Sequence, residues 1–162
     1  YISLEAEHYS RKNETGGIHW EIIPDLGKTL SGVTTFPQNV YPKSADAVYL
    51  EYDVNFESAG EFPVHILVSP TLNFNDNKGL RYAVSFDGGT EQIVNINQNY
   101  DVKLMEKWQA NSINETITRH KIDKPGKHSL RFRVLEPGIV LQKIMIDLGG
   151  LKKSYLGAPG KR

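Results

Sequence analysis

Residues 48–56 read VYLEYDVNF, and apolar side chains occupy every second position of this stretch. In an extended strand, alternate side chains point to the same side, so these apolar residues would share one face. The intervening residues are mostly polar. The alternation therefore predicts a strand with one face in a core and the other toward solvent. The positions that share the apolar face are Val48, Leu50, Tyr52, Val54 and Phe56.

The same period of two recurs in three more stretches, residues 62–68, 80–86 and 128–134. Weaker patterns predict further strands, which gives about nine in all, separated by turn signals such as Asp87-Gly88-Gly89 and Lys124-Pro125-Gly126. The weaker strands are predicted at residues 2–8, 18–23, 92–96, 112–122 and 138–148, and longer loops at about 25–46, 69–79 and 97–111.

Many short strands without intervening helices are typical of an antiparallel β-sandwich or jelly roll rather than of a parallel α/β sheet. We therefore predict an all-β fold of the galactose-binding-like, jelly-roll type. Residues 1–150 would form one domain, and residues 151–162, rich in glycine and ending in Lys161-Arg162, would form a C-terminal tail with little to pack.

The composition excludes several classes of function. Nineteen Lys and Arg residues balance nineteen Asp and Glu residues, so no basic field would collect the phosphates of a nucleic acid. The chain has no cysteine, which excludes disulfide frameworks, zinc–thiolate sites and thiol nucleophiles. No apolar stretch approaches the ~20 residues of a membrane-spanning helix, so no membrane association is predicted.

Two glutamates near the start of the chain form a candidate metal site. Glu5 and Glu7 are two residues apart on a predicted strand, so both carboxylates would project from one face and would need a compensating cation. Calcium suits such a site, with backbone carbonyls and a third carboxylate completing six to eight ligands. The alternative is two solvated glutamates on an edge strand. Asp147 ends the apolar run 139–146, and its simpler role is to cap the turn at Gly149-Gly150.

Aromatic residues in the predicted loops are candidates for carbohydrate binding, because the C–H face of a sugar docks on an aromatic face as on other apolar surfaces. Trp20 lies on a predicted strand, where packing in the core is the alternative. The loop residues selected for sugar contact are Trp108, Tyr41, Phe36 and Tyr100, with Asn111 as a polar neighbour.

No catalytic motif is present in the sequence. A glycosidase needs two carboxylates across a cleft, and no Asp or Glu here sits in a distinctive pattern. The chain also lacks GxSxG, P-loop and dinucleotide-binding motifs. A small hydrolase acting alone therefore remains only as a third hypothesis.

The opening LEAEHY, residues 4–9, resembles the start of the calcium-binding carbohydrate-binding modules of families 6 and 35. That resemblance implies a structural calcium ion held by Glu5, Glu7 and Asp147, with loop carbonyls near Thr29 and Ser31 filling the coordination shell. The ion would tie the first strand to the last.

A likeness over nearly the whole chain is to the C-terminal domain of glycoside hydrolase family 115, the xylan α-1,2-glucuronidases. The segments that carry it are WEIIPDLG at 20–27, GVTTFP at 32–37, LRYAVSFDG at 80–88 and PGIVLQKIMIDLGGLKKSYLG at 137–157.

This resemblance implies a noncatalytic module that packs on the catalytic domain of a larger bacterial enzyme, secreted or periplasmic, and that binds or positions glucuronoxylan. The rival hypothesis is a purely structural domain, which contacts the catalytic domain or a dimer partner and binds no glycan.

Overall fold

The computed structural model of the chain describes residues 1–43, 47–74, 79–98, 103, 106, 107, 110 and 112–152. Within these residues it contains eleven β-strands. They are β1 (Ile2–Glu5), β2 (Arg11–Asn13), β3 (His19–Ile23), β4 (Gly32–Phe36), β5 (Tyr49–Phe56), β6 (Gly60–Val68), β7 (Arg81–Phe86), β8 (Gln92–Asn95), β9 (Asn114–Ile122), β10 (Gly126–Val134) and β11 (Leu141–Ile146).

The strands form two sheets in which all paired neighbours run antiparallel. The first sheet has the order β3-β4-β11-β6-β9, and β1 also pairs with β11. The second has the order β2-β5-β10-β7-β8. The predicted antiparallel β-sandwich is confirmed.

The four stretches with the clearest alternation are the strands β5, β6, β7 and β10, as predicted. Two strands were missed, and both differ from the half-buried pattern. β4 lies in a predicted loop and is buried on both faces, so its residues do not alternate. β2 has three polar residues, and Arg11 and Asn13 lie opposite Glu51 and Tyr49 of β5. Four residues of the predicted loop at 97–111 have helical conformation, namely Lys103, Glu106, Lys107 and Ala110.

The core lies between the sheets and is rich in aromatic side chains. Tyr82 and Phe132 are fully buried, with ring centroids 4.9 Å apart. Trp20 is also buried, at 6.4 Å from Phe132, which confirms the packing alternative for this tryptophan. The core is continuous, because its buried members come from strands of both sheets and contact one another.

A smaller apolar cluster covers the other face of the first sheet. Leu67 and Met145 are its buried members, and Tyr1, Ile113 and Leu151 pack against them. The predicted C-terminal tail thus begins with a residue that contacts the sheet, while residues 153–162 lie outside the described part of the chain. None of the described helical residues belongs to a helix long and apolar enough to cross a membrane.

The connections emerge at two opposite ends of the sandwich. β5 begins beside the end of β10, where Tyr49 lies opposite Arg133, and Val68 at the end of β6 lies opposite Leu141 at the start of β11. We call this end, with segments 37–43, 69–74 and 135–140, the loop end. The turn end is formed by the connections at 57–59, 87–91 and 123–125.

Candidate functional site

The two glutamates predicted to bind calcium do not lie on one strand face. β1 ends at Glu5, and the chain then turns, with the backbone N–H of His8 donating to the carbonyl of Glu5 at 3.0 Å. Glu7 therefore lies in the turn, and its carboxylate is 3.7 Å from the His8 ring. Alternation cannot place both carboxylates together, because the strand stops between them.

The carboxylate of Glu5 is buried and already has a cation. Lys143 Nζ lies 2.9 Å from Glu5 Oε1, and the side chain of Lys143 is only 1% exposed. The hydroxyl of Thr29 donates to the other carboxylate oxygen, Oε2, at 2.7 Å. The loop that contains Thr29 is thus beside Glu5, as predicted, but its contact is a hydroxyl group.

Asp147 is occupied elsewhere, because its Oδ1 accepts the backbone N–H groups of Gly149 at 2.9 Å and Leu151 at 3.1 Å. Glu5 lies opposite Lys143 in the β1–β11 pair, and Asp147 is four residues farther along. At ~3.3 Å per residue, four residues span about 13 Å of strand. No three His, Cys, Asp or Glu side chains within the described ranges could hold a metal ion. These residues do not fit the predicted calcium site.

At the loop end, the segment 137–140 crosses from one sheet to the other between the loop 69–74 and strand β4. The hydroxyl of Thr71 donates to the carbonyl of Gly138 at 2.9 Å, and that of Thr34 donates to the carbonyl of Ile139 at 2.8 Å. Side chains from both flanking segments therefore fix the crossing backbone.

Phe74 lies against this crossing segment and remains exposed. Gly138 has a φ of 94°, and a Cβ built there would be 2.6 Å from two ring atoms of Phe74. The ring thus rests directly on the glycine backbone, yet Phe74 is 51% exposed. This arrangement is an aromatic surface that the core does not use.

The sequence-selected aromatics divide into described and undescribed residues. Tyr41 is 47% exposed at the loop end, and Phe36 at the end of β4 is partly buried. Gln38 holds the segment between them, because its amide donates to the carbonyl of Thr35 at 2.8 Å. Tyr100, Trp108 and Asn111 lie outside the described residues.

A buried ion pair lies directly beneath the crossing segment. Glu136 precedes Pro137, and its side chain is 3% exposed. Its carboxylate accepts the backbone N–H of Arg81 at 2.7 Å and Nε of the same residue at 2.9 Å, with a further bond from Nη2. The pair fixes the end of β10 to the start of β7 and so positions the loop end.

An open cleft of about 540 Å³ lies at the turn end, and its lining includes His120, His128 and Asp87. Both ring nitrogens of His128 are engaged, with Asp87 Oδ2 at 2.6 Å and the carbonyl of Lys124 at 2.9 Å. Burial lowers the pKa of His120, whose Nε2 is 2.9 Å from Thr118 Oγ1. His128 cannot act as a general base without breaking a contact, so its contacts fasten two turns together rather than serve proton transfer.

The Asp87–His128 pair predicts pH-dependent stability. The hydrogen bond to Asp87 raises the pKa of His128 against the effect of burial. Burial would raise the pKa of Asp87, but hydrogen bonds from the Ser129 backbone and His128 outweigh it and lower that pKa. The stabilisation by His128 is complete below about pH 6.5 and is lost as pH rises through its folded pKa. That by Asp87 is lost as pH falls through its own folded pKa.

We therefore expect wild type to exceed Asp87→Asn in stability at pH 5.5, and this advantage to be smaller at pH 9, where His128 is neutral. Asparagine suits position 87 because it tolerates the observed φ of 53°. Urea denaturation at both pH values measures the difference. Asp123→Asn in the same cleft is the control, and an equal pH response of the two variants would exclude the His128 contribution.

Paired charges cover the solvent face of the second sheet. Glu51 accepts from Arg11 Nε and Arg131 Nη2, each at 2.8 Å, and the guanidinium of Arg131 lies 4.0 Å from the centre of the Tyr49 ring. Burial would raise the pKa of Glu51, but the hydrogen bonds from the two arginines outweigh it and lower that pKa. This face carries matched charges rather than an exposed aromatic surface.

Two residues that matter in this geometry were not selected from the sequence. Phe74 was one of several loop aromatics, and only its contact with Gly138 distinguishes it. Lys143 interrupts the apolar run 139–146, and a lysine within a buried strand indicates a buried partner. That signal was available in the sequence.

The comparisons with known proteins agree with this architecture. The model of the glycosyl hydrolase family 115 C-terminal domain matches residues 1–160. Among solved structures, a family 115 4-O-methyl-α-glucuronidase with specificity for decorated arabinogalactans superposes with a TM-score of 0.67 and 16% identity, over 92% of this chain and 18% of that protein. The chain thus spans under a fifth of that enzyme.

Two separate carbohydrate-binding modules share the fold over their whole length. The family 35 module from Clostridium thermocellum has a TM-score of 0.57 and 16% identity, covering 89% of this chain and 96% of the module. A family 6 module from Cellvibrio mixtus lichenase 5A, solved with cellotriose, has a TM-score of 0.53 and 18% identity, covering 92% and 98%. These similarities confirm the predicted jelly-roll fold.

No curated protein sequence matches this chain. The family match nevertheless covers almost every residue and includes the four segments on which the resemblance was based. The chain belongs to the glycosyl hydrolase family 115 C-terminal domain family, and its fold is that of a carbohydrate-binding module.

Proposed function

We propose that this domain is the noncatalytic glycan-binding module of a larger secreted or periplasmic glycoside hydrolase, and that its loop end binds uronic-acid-decorated plant polysaccharide such as glucuronoxylan. The observation that carries the proposal is the exposed ring of Phe74 resting on Gly138. Tyr41 offers a second half-exposed ring at the same end.

The physical basis is the match between a sugar and an aromatic face. The C–H groups of a pyranose form an apolar surface, which an exposed ring can cover without losing any hydrogen bond. The segment beneath Phe74 is held by Thr71, Thr34 and the Arg81–Glu136 pair, so ordering it on binding costs little conformational entropy. The backbone on which the Phe74 ring rests is therefore fixed before a ligand binds.

The relatives support the choice of ligand class. The family 6 module was solved with cellotriose, so this fold accommodates a β-linked glucan. The family 115 enzyme is a 4-O-methyl-α-glucuronidase with specificity for decorated arabinogalactans, which favours a uronic-acid-bearing glycan as the ligand of this domain. Glucuronoxylan and glucuronylated arabinogalactan are the two candidates to compare.

A noncatalytic role is supported by the state of the buried acid–base groups. Glu136, the buried carboxylate at the loop end, is fully engaged by Arg81. His128 in the turn-end cleft has both nitrogens occupied. Hydrolysis of a glycoside uses two carboxyl groups on opposite sides of the bond, whereas these two groups, within the part of the chain that the structure describes, are held by other partners.

The alternative is a module that only packs on its parent enzyme. It is favoured by Ile93 and Ile117, which are 60% and 56% exposed on the edge strands β8 and β9. Gln92 joins these strands, because its side-chain amide bonds both the N–H and the carbonyl of Arg119. A single exposed isoleucine is common on protein surfaces and needs no explanation. An apolar surface formed by Ile93 and Ile117 together, where β8 and β9 are joined, would suit a protein partner.

Calorimetric titration with glucuronoxylan oligosaccharides, glucuronylated arabinogalactan oligosaccharides and undecorated xylo-oligosaccharides tests the proposal. We expect saturable binding to a decorated glycan, and a loss of affinity of roughly 3- to 10-fold for Phe74→Ala, because a ligand can cover only the exposed half of the ring and so gains about half of the ~1.5–3 kcal/mol of burying a phenylalanine. Ile93→Ala, on the distant edge strand, is the matched control. Absence of heat with all three ligands would favour the structural alternative.

A further inference from the structure

We infer that the buried ammonium group of Lys143 performs the structural task that the opening sequence motif assigns to calcium. It neutralises Glu5 and fastens the first strand to the last, so that the domain folds without a metal ion. This inference does not depend on glycan binding, because the Glu5–Lys143 pair stabilises the sheet whatever the loop end contacts.

The position of the pair is set by strand register. Glu5 is the last residue of β1, and its Cα lies directly opposite that of Lys143 in the antiparallel pair with β11. Side chains at directly opposite positions share one face of the sheet and lie within reach of each other. On its other side, Lys143 lies opposite Leu67 of β6. The Lys143 side chain therefore lies on the same face of the sheet as Glu5 and Leu67, and its ammonium group is next to the Glu5 carboxylate.

Burial makes the pairing obligatory. The Glu5 side chain is 9% exposed and that of Lys143 is 1% exposed, so water solvates neither charge well. An isolated charge in such a place is costly, and it is tolerated only with an opposite charge and hydrogen bonds. Lys143 at 2.9 Å and Thr29 at 2.7 Å provide both for the carboxylate.

The same geometry excludes a calcium ion at Glu5. Each carboxylate oxygen already accepts from a donor, Oε1 from Lys143 and Oε2 from Thr29. A divalent ion on either oxygen would lie within a few ångströms of the ammonium, and like charges at that distance in a poorly solvated site repel strongly. Calcium also needs six to eight oxygen ligands, whereas Glu7 and Asp147 contact other groups.

The Glu5–Lys143 pair joins the first and last strands at the place where the motif predicts a calcium ion. β1 has four residues and pairs with β11, and the next backbone bond joins Ala6 N–H to the Gln142 carbonyl at 3.2 Å. The Gln142 amide oxygen accepts the backbone N–H of Lys28, from the loop that also contains Thr29. The Glu5–Lys143 pair therefore holds together three segments that are far apart in sequence.

Thermal unfolding of four proteins tests the inference: wild type, Glu5→Gln, Lys143→Met and the Glu5→Gln/Lys143→Met double variant, each in EDTA and in millimolar calcium chloride. We expect the Tm of wild type to be the same in both conditions. Lys143→Met should lower Tm by roughly 10 °C, because an uncompensated carboxylate stays buried. The double variant should recover at least half of that loss, since it buries no unpaired charge.

Lys121→Met is the matched control, because this lysine pairs with Asp123 and its side chain is 80% exposed. Its Tm should remain that of wild type. If Lys143→Met fails to fold, a folded double variant still supports the inference. The inference is overturned if calcium raises the wild-type Tm by several degrees, if Lys143→Met unfolds like wild type, or if the double variant is no more stable than Lys143→Met.

Discussion

Replacing Arg81 by methionine is expected to lower the free energy of unfolding by about 3–5 kcal/mol, because it leaves the Glu136 carboxylate buried without its cation. In the intact domain, the carboxylate accepts from Nε, from Nη2 and from the backbone N–H of Arg81. Only the backbone donor would remain in the variant. With the Glu136 side chain 3% exposed, water cannot replace the lost guanidinium.

The opposite substitution should cost much less. Glu136→Gln keeps the shape of the side chain and an oxygen that can accept the Arg81 backbone N–H, so we expect a loss of about 1–2 kcal/mol. The Arg81 side chain is 38% exposed, and its guanidinium can find water once the carboxylate is gone. The asymmetry arises because only one member of the pair is deeply buried.

Urea denaturation of the two variants and of the double variant Arg81→Met/Glu136→Gln measures this asymmetry. The double variant should be more stable than Arg81→Met alone, since no charge is left buried. Arg11→Met is the control, because Arg11 pairs with Glu51 and Asp53 while 53% exposed, and ion pairs at the surface contribute little to stability. Equal losses for Arg81→Met and Glu136→Gln would contradict the role assigned to burial.

How far the fold could be predicted depends on how each strand is buried. β5 and β10 have one buried and one exposed face, and that difference gives the period-two pattern. β4 has no such contrast, because its residues Gly32–Thr35 are all buried. Its threonines are polar and so favour a loop prediction, although the hydroxyl of Thr34 is buried and donates to the carbonyl of Ile139. A polar residue with a buried partner cannot be distinguished from a solvated one by pattern alone.

At the candidate metal site, the register between β1 and β11 determines which side chain lies beside Glu5. The sequence predicts that the like charges of Glu5 and Glu7 need a compensating cation, but it cannot say that Glu5 is buried or which residue of the last strand lies opposite it. A shift of four residues decides whether Glu5 meets Lys143 or Asp147. The motif therefore predicts the electrostatic requirement, and the pairing of β1 with β11 determines how that requirement is met.

The aromatic residues illustrate the same limit for binding sites. Trp20 lies on a predicted strand and Phe74 in a predicted loop, so the pattern indicates core packing for Trp20 but does not distinguish Phe74 from the other loop aromatics. In the folded domain Trp20 is 5% exposed and Phe74 is 51% exposed. What distinguishes Phe74 is a contact with Gly138, more than sixty residues away in sequence, so its role follows only from tertiary structure.

Gly138→Ala is expected to weaken glycan binding as much as Phe74→Ala does, although it changes no aromatic residue. The new Cβ would lie 2.6 Å from the Phe74 ring, so the ring must move. Phe74 lies in an exposed loop, so moving its ring costs little stability, but the aromatic surface is displaced. We therefore expect a loss of affinity of roughly 3- to 10-fold by calorimetry, set by about half of the ~1.5–3 kcal/mol of burying a phenylalanine, since the ring is 51% exposed.

Gly149→Ala separates this effect from backbone strain. Gly149 has a φ of 92°, nearly that of Gly138, but nothing lies within 4 Å of a Cβ built there. Both substitutions should lower stability by about 1–2 kcal/mol, because an L-residue is unfavourable at positive φ. Only Gly138→Ala should weaken binding, and adding it to Phe74→Ala should cause no further loss, since both act on the same ring. Equal affinities of the two glycine variants would show that Phe74 does not contact the ligand.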